Sequence, residues 1–346
     1  MPIARAEHIF RPAKNTTQTT AHGGKMDWDS IITGGVLAGL IADFTESERT
    51  AGSTRRYKIF DHVADSENIT SGSHLIYLAA QLGGNGFVAN LKTASLTDTW
   101  ADVSASRRYG TGKLNTTASA GASTLVIDTD GASYNQFQNG DQIIIHNKAG
   151  AGETGLDDTT GTIEKHTISG APSWNGDEVT VTLAGTLANT YNPTRTVSGN
   201  TVYSYVCSHP AATNVSTGLT KQNNTSAAGT LAEAQITVPN IGAVSQTITI
   251  TFTGATTFTA VSDDAGITLA SGSTGSTYAP TNPDSGTALI SIPAAAWGGT
   301  WQSGDSIQLV TTPAAKPVWL EIVCTAGASA ANEAPELRVY GYSGSA

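Results

Sequence analysis

The sequence predicts a mainly β, multi-domain protein of β-sandwich or small-barrel units, with an immunoglobulin-like C-terminal unit and one short helix near the N-terminus. Three observations carry that prediction. Runs such as Glu178–Leu183 and Gln246–Phe252 alternate apolar and polar residues at the period of two that a half-buried strand requires. Turn chemistry, as in Asn139-Gly140-Asp141 and Asn175-Gly176-Asp177, leads into these strands at short intervals. A convincing helix start signal occurs once, at Thr45.

Residues 1–25 read as an extended N-terminal arm. Arg5, Arg11, Lys14 and Lys25 face a single acid, Glu7, and the run Asn15–Thr20 has no periodicity. Such a segment is either a disordered terminus or an arm that orders on a neighbouring subunit. The second reading makes Arg5, Arg11 and Lys14 the candidate assembly contacts.

Residues 26–119 form an N-terminal β unit. Gly34–Phe44 is its most apolar helix-like stretch, but it is broken by glycines and far shorter than the ~20 residues of a membrane span. Thr45-Glu46-Ser47-Glu48 is a capping box in which the Thr45 hydroxyl and the Glu48 carboxylate satisfy each other's backbone amides. Gly52 is the expected stop. Arg56–Phe60 reads as a strand with Tyr57 and Ile59 on one face and Lys58 on the other, and Leu75–Leu78 as a second. Asp65–Asn68 is turn chemistry between them.

Residues 120–231 form a middle β unit. Strands are expected at 124–127, 142–145, 162–168 and 178–183, then at 201–207, and Thr213–Gly229 reads as a linker or long loop. Residues 232–346 form the immunoglobulin-like unit, with strands at 234–238, 246–252, 318–323 and 336–340. It lacks a Cys–Trp–Cys signature.

One pattern occurs twice. Leu125-Val126-Ile127 leads to Phe137-Gln138-Asn139-Gly140-Asp141, and Leu289-Ile290-Ser291-Ile292 leads, at the same offset, to Trp301-Gln302-Ser303-Gly304-Asp305. Each reads as strand, loop, aromatic anchor and a Gly-Asp turn in which glycine supplies a positive φ. A common hairpin solution used twice accounts for this, and a duplicated β unit is the alternative.

Charged residues make up 13% of the chain, against about 25% in ordinary domains. Small neutral side chains fill the gap, and they are cheap to order at a contact. This points to a life packed against copies of itself. The net charge of −10 argues against nucleic acid as the main partner. Cys207 and Cys324 lack metal-ligand spacing and read as buried reduced thiols. Met1–Lys25 has no apolar signal core, so a chain made in a cytoplasm without membrane insertion is expected.

The residues offer little for catalysis. No HExxH pair stands among the seven histidines, and His146 and His166 read as a solvent-facing pair across a sheet. The doublets Asp157-Asp158 and Asp263-Asp264 read as solvated turns. Asp128–Gly131 lacks the glycine spacing of a calcium loop, Gln81–Gly86 lacks a P-loop lysine, and no GxSxG elbow is present. No catalytic residue, cofactor or metal is therefore expected, and the chain is read as a non-enzyme. Trp297, Trp301 and Trp319 read as core or interface anchors ahead of a sugar platform.

Two segments resemble a known group. Phe44–Phe60, FTESERTAGSTRRYKIF, is similar to a segment of virion proteins of tailed phages and prophages. So is Ile292–Trp301, IPAAAWGGTW, with Gly304-Asp305 and Pro313–Leu320 after it. The resemblance implies a structural role in the virion after synthesis in the host bacterial cytoplasm. It implies a ring or lattice of copies in contact with other virion proteins. A tail tube or tube-proximal position is the first expectation. Capsid decoration or a head–tail neck protein is the second, and a glycan-binding baseplate or fibre protein the third.

Overall fold

The structure is a computed structural model that describes residues 7–32, 43–82, 86–129, 131–149, 160–330 and 337–343. Arg5, the apolar stretch at 33–42, Asp130 and the Asp157-Asp158 doublet lie outside these residues. The architecture is mainly β and multi-sheet, with only short helices.

In chain order the first elements are β1 (His8–Asn15), β2 (Gly23–Met26), α1 (Glu46–Ala51), β3 (Ser53–Val63), β4 (Ser71–Leu78), β5 (Phe87–Thr93) and α2 (Trp100–Val103). Then come β6 (Thr111–Leu114), β7 (Thr124–Asp128), β8 (Gln142–His146), β9 (Ile163–Thr167), β10 (Ser173–Trp174), β11 (Glu178–Thr182), β12 (Thr194–Val197), β13 (Asn200–Tyr203) and β14 (Tyr205–Ser208). The remainder are β15 (Thr213–Val215), β16 (Gly218–Gln222), β17 (Thr230–Leu231), β18 (Gln246–Phe252), β19 (Thr257–Ser262), β20 (Gly272–Ser273), β21 (Trp297–Gly298), β22 (Ser306–Thr312), β23 (Ala315–Cys324) and β24 (Leu337–Ser343).

The capping box forms as expected. The Glu48 amide donates to the Thr45 hydroxyl at 3.3 Å, and the Thr45 amide donates to the Glu48 carboxylate at 2.8 Å. A second helix, α2, was not foreseen. It is one turn long and buries Trp100 and Val103.

The first five-stranded sheet has the order β2-β1-β3-β23-β5. β23 runs antiparallel to β3 from Ala315↔His62 to Cys324↔Ser53, and to β5 from Val318↔Thr93 to Cys324↔Phe87. β24 pairs instead with β4, in the sheet β15-β4-β24. The expectation that 318–323 and 336–340 close a C-terminal unit is thereby corrected. Alternation tells which face a strand buries, not which strand it pairs with. β23 is buried on both faces, and a central place in this sheet covers both.

The N-terminal arm is also corrected. β1 pairs with β3 from His8↔Val63 to Pro12↔Ile59, and β2 folds back on β1. Backbone groups that solvent would otherwise satisfy are spent on the chain's own sheet edge. One face of this sheet presents Tyr57, Ile59, Leu91, Val318, Leu320 and Ile322 to Ile76 and Leu78 of β4. On the other face Lys58 alternates as expected, yet it is 1% exposed. Its ammonium donates to the carbonyls of Gly24 and Asp98 at 2.6 and 2.9 Å and pairs with the Asp98 carboxylate.

The seven-stranded sheet has the order β10-β11-β7-β6-β14-β8-β9. Its far strand returns to β11's end, where Ala184 N–H donates to Thr167 O and Ser169 N–H to Thr182 O, both at 2.8 Å. The expected strand at 201–207 is two strands. β13 pairs with β12, and after Ser204 β14 joins the seven-stranded sheet. The expected linker at 213–229 contains β15 and β16, paired with β4 and β22. The expected strand at 234–238 opens instead as a 3-10 turn over Glu233–Gln235.

The last large sheet has the order β16-β22-β18-β19-β20. Ile248, Ile250, Phe252, Phe258, Ile307 and Leu309 face its core. Each such side chain contributes about 1.5–3 kcal/mol relative to exposure.

The repeated turn is one local structure with two connectivities. Gly140 and Gly304 have φ +85° and +97°. The Asp141 and Asp305 carboxylates accept from the amides of Gln138 and Gln302 at 2.7 and 2.9 Å. Ile168 brackets Gly140-Asp141 with two backbone hydrogen bonds, as Phe252 brackets Gly304-Asp305. Ile168 follows its turn in sequence, whereas Phe252 precedes its own. That reversal favours one turn solution reached twice over a duplicated unit.

Candidate functional site

The outer face of β16-β22-β18-β19 carries no charged side chain. Its cross-strand rows are Gln222–Gln308–Thr249–Val261, Thr220–Val310–Thr247 and Ser306–Thr251–Thr259. These residues alternate with the core-facing ones and are half-buried or exposed. Val261 is 64% exposed, which is unusual for a large aliphatic side chain. Gln308 donates to the Thr249 hydroxyl at 3.4 Å, so the polar groups partly satisfy one another along the row.

The basic residues expected on an assembly arm make their contacts inside the chain. Arg11 is 5% exposed and donates to Trp28 O, Ser30 O, His62 Nδ1 and the Asp284 carboxylate. Lys14 pairs with Asp264, which also accepts from the Trp28 indole at 3.1 Å, and Lys25 pairs with Asp263 at 2.8 Å. The doublet read as a solvated turn is thus the anchor of the β1–β2 ribbon. Burial raises both carboxyls, but the lysines and the amides of Thr247 and Gly266 outweigh it and hold both low.

The three tryptophans are core anchors. Trp301 is 3% exposed and Trp319 is fully buried. Trp297 is half-buried between Phe252 and Phe258. Trp319 packs edge-on to Trp100 at 5.5 Å and lies 5.4 Å from His22. A Cβ at Gly23 would lie 2.6 Å from the Trp319 ring, so that glycine is what lets β2 close over it.

A polar centre that the sequence did not reveal lies between β1, β3 and β4. His8 Nδ1 is 2.9 Å and His74 Nε2 2.7 Å from Asp61 Oδ2. Ser71 Oγ is 2.8 Å from His74 Nδ1. Asp61 and His74 are fully buried, and the His8 side chain is 20% exposed. Burial raises the Asp61 carboxyl, yet its contacts with His74 and His8 outweigh this and lower it. The Asp61 contact raises His8. Three strands supply these residues, so no spacing announces them. The sole hint is a polar pair, Asp61-His62, set between the apolar Ile59-Phe60 and Val63 of β3. Serine, histidine and carboxylate lie in series here, and Ser71 is 1% exposed.

His146 and His166 do not form the expected pair. They project from opposite faces of β8–β9, because Ile143 pairs with His166 and His146 with Ile163. His146 is buried between Tyr77 and Tyr205 with Nε2 3.0 Å from Ala79 O, and burial pushes it down to about 3. His166 is 3.0 Å from Glu164. Burial raises Glu164, but donation from Ala188, His166 and Asn189 holds it at about 2. An open groove of about 820 Å³ runs beside this sheet, lined by Tyr109, Asp141, Lys165, His166 and His209. Arg107 grips Asp141 with both terminal nitrogens, and His209 Nδ1 is engaged with Pro210 O. Both cysteines are buried and free, as expected. Among the described residues, no helix is long and apolar enough to cross a membrane.

No family model, curated protein or solved structure matches this chain.

Proposed function

We propose that the protein is a structural subunit of a tailed-phage virion, at the tail tube or close to it, and that it acts by packing against copies of itself. The observation that carries this reading is the uncharged outer face of β16-β22-β18-β19 with Val261 at its exposed side. Joining two such faces buries no ion. Apart from Gln222 and Gln308, whose ordering costs about as much as a lysine's, it orders only Thr, Ser and Val side chains, whose entropic cost is smaller. The segments Phe44–Phe60 and Ile292–Trp301, with Gly304-Asp305 and Pro313–Leu320, which resemble virion proteins, support the same reading. In it, the last large sheet with the β17–β21 pair is an immunoglobulin-like sandwich, and the curled seven-stranded sheet is a small barrel. The net charge of −10 suits a channel through which DNA slides.

Capsid decoration or a neck position is the second reading, and location in the particle separates the two. A glycan-binding role is the third reading; it has less support, because Trp301 and Trp319 are buried and, of the three tryptophans that suggested it, only Trp297 is partly exposed.

The test is light scattering and negative-stain microscopy of the purified chain, with immunogold labelling of particles. Rings or tubes are expected, with label on the tail. Thr249→Lys with Val261→Lys is expected to abolish assembly without lowering Tm. A wild-type chain that stays monomeric at high concentration overturns the proposal.

A further inference from the structure

We propose that His8, Asp61 and His74 bind one divalent transition-metal cation of the zinc class, which clamps β1 and β3 to β4. Their nitrogen and oxygen ligand atoms all lie within 4.8 Å of one another. Two imidazoles and a carboxylate are a donor set that suits zinc and its borderline neighbours, and an oxygen-only ion such as calcium far less.

Among the buried side-chain atoms that have no hydrogen-bond partner, two belong to this centre. Asp61 Oδ1 meets no donor. His74 Nε2 lies 2.7 Å from Asp61 Oδ2 yet is not hydrogen-bonded to it, so the approach is off the N–H axis. Buried polar atoms are rarely left this way. A cation between the ring nitrogen and the carboxylate satisfies both at once.

The neighbouring contact fits. Ser71 Oγ engages His74 Nδ1, which leaves the Nε2 lone pair for the metal, as an outer partner of a ligating histidine does. His8, at the partly exposed rim, gives the ion its way in and leaves room for a water as fourth ligand. β1 and β3 belong to the five-stranded sheet and β4 to the three-stranded one, so the ion would tie two sheets together.

The experiment uses the full chain stripped with EDTA, then incubated with zinc chloride or cobalt(II) chloride and desalted. One zinc per chain by elemental mass spectrometry is expected. The zinc form is expected to melt several degrees above the stripped form. The cobalt form should show the visible bands of a tetrahedral site. His8→Ala and His74→Ala should each lower bound metal at least tenfold, while His166→Gln keeps it. If His74→Ala does not fold, His8→Ala at the rim and the wild-type cobalt spectrum still decide. Wild-type protein without stoichiometric zinc or the cobalt bands overturns the proposal, as does His8→Ala that retains full binding.

Discussion

Phe252 and Trp301 stack with ring centroids 4.2 Å apart and 5° between their planes. Phe252 ends β18, and Trp301 stands just before the turn that launches β22, so the stack locks a strand end to a turn. Trp301→Ala is expected to cost about 3–5 kcal/mol, the range for emptying a buried aromatic site. Trp301→Phe should recover most of it. Urea denaturation gives both values, and a loss below about 1 kcal/mol would remove Trp301 from the core.

The two Gly-Asp turns make a paired prediction. A Cβ on Gly140 or Gly304 meets nothing within 4 Å, so only the positive φ penalises it. Gly140→Ala and Gly304→Ala should each cost about 1–2 kcal/mol. The double variant should show the sum, because the turns lie in separate cores. Gly185→Ala, with open space and no positive φ, should be near neutral.

Asp264 holds the β1–β2 ribbon through Lys14 and Trp28. Asp264→Asn should cost about 1–3 kcal/mol, the range for a charged hydrogen bond removed from a buried site. Asp263→Asn, at an exposed pair with Lys25, should stay within about 1 kcal/mol. Hydrogen exchange mapped by mass spectrometry should quicken in residues 8–26 for the first variant only.

His146 supplies a pH dependence. Its folded-state value of about 3 lies below the ordinary 6.5, so the unfolded chain binds the extra proton between those limits. Stability should therefore fall as pH drops from 6.5 towards 3. Glu164, held at about 2, adds its own loss only below about 4.5. Urea titrations between pH 4.5 and 6.5 should show a shallower slope in His146→Leu than in wild type. Equal slopes would mean that His146 is protonated in the folded protein.

The strands were legible where the information is local. The alternation in Gln246–Phe252 shows which side meets the core, and the capping box needs only residues within one turn. Pairing was not legible, because Val318 and Ile59 meet through a register that no short window contains. Lys58 and Lys92 were unreadable as interior residues for a related reason. Their hydrogen bonds go to the backbone carbonyls of Gly24, Asp98 and Ser104, which leave no mark in a sequence, and the carboxylates they pair with, Asp98 and Glu321, stand outside any short window. The His8–Asp61–His74 centre draws on three strands and escaped for the same reason as β23.

The seat of β23 between β3 and β5 has a consequence for biosynthesis. Both flanking strands leave the ribosome long before the strand that must separate them. Until then they wait with unpaired edges, the condition that invites aggregation. The chain's topology thus builds in late and slow completion of the first sheet, with these edges exposed until β23 arrives.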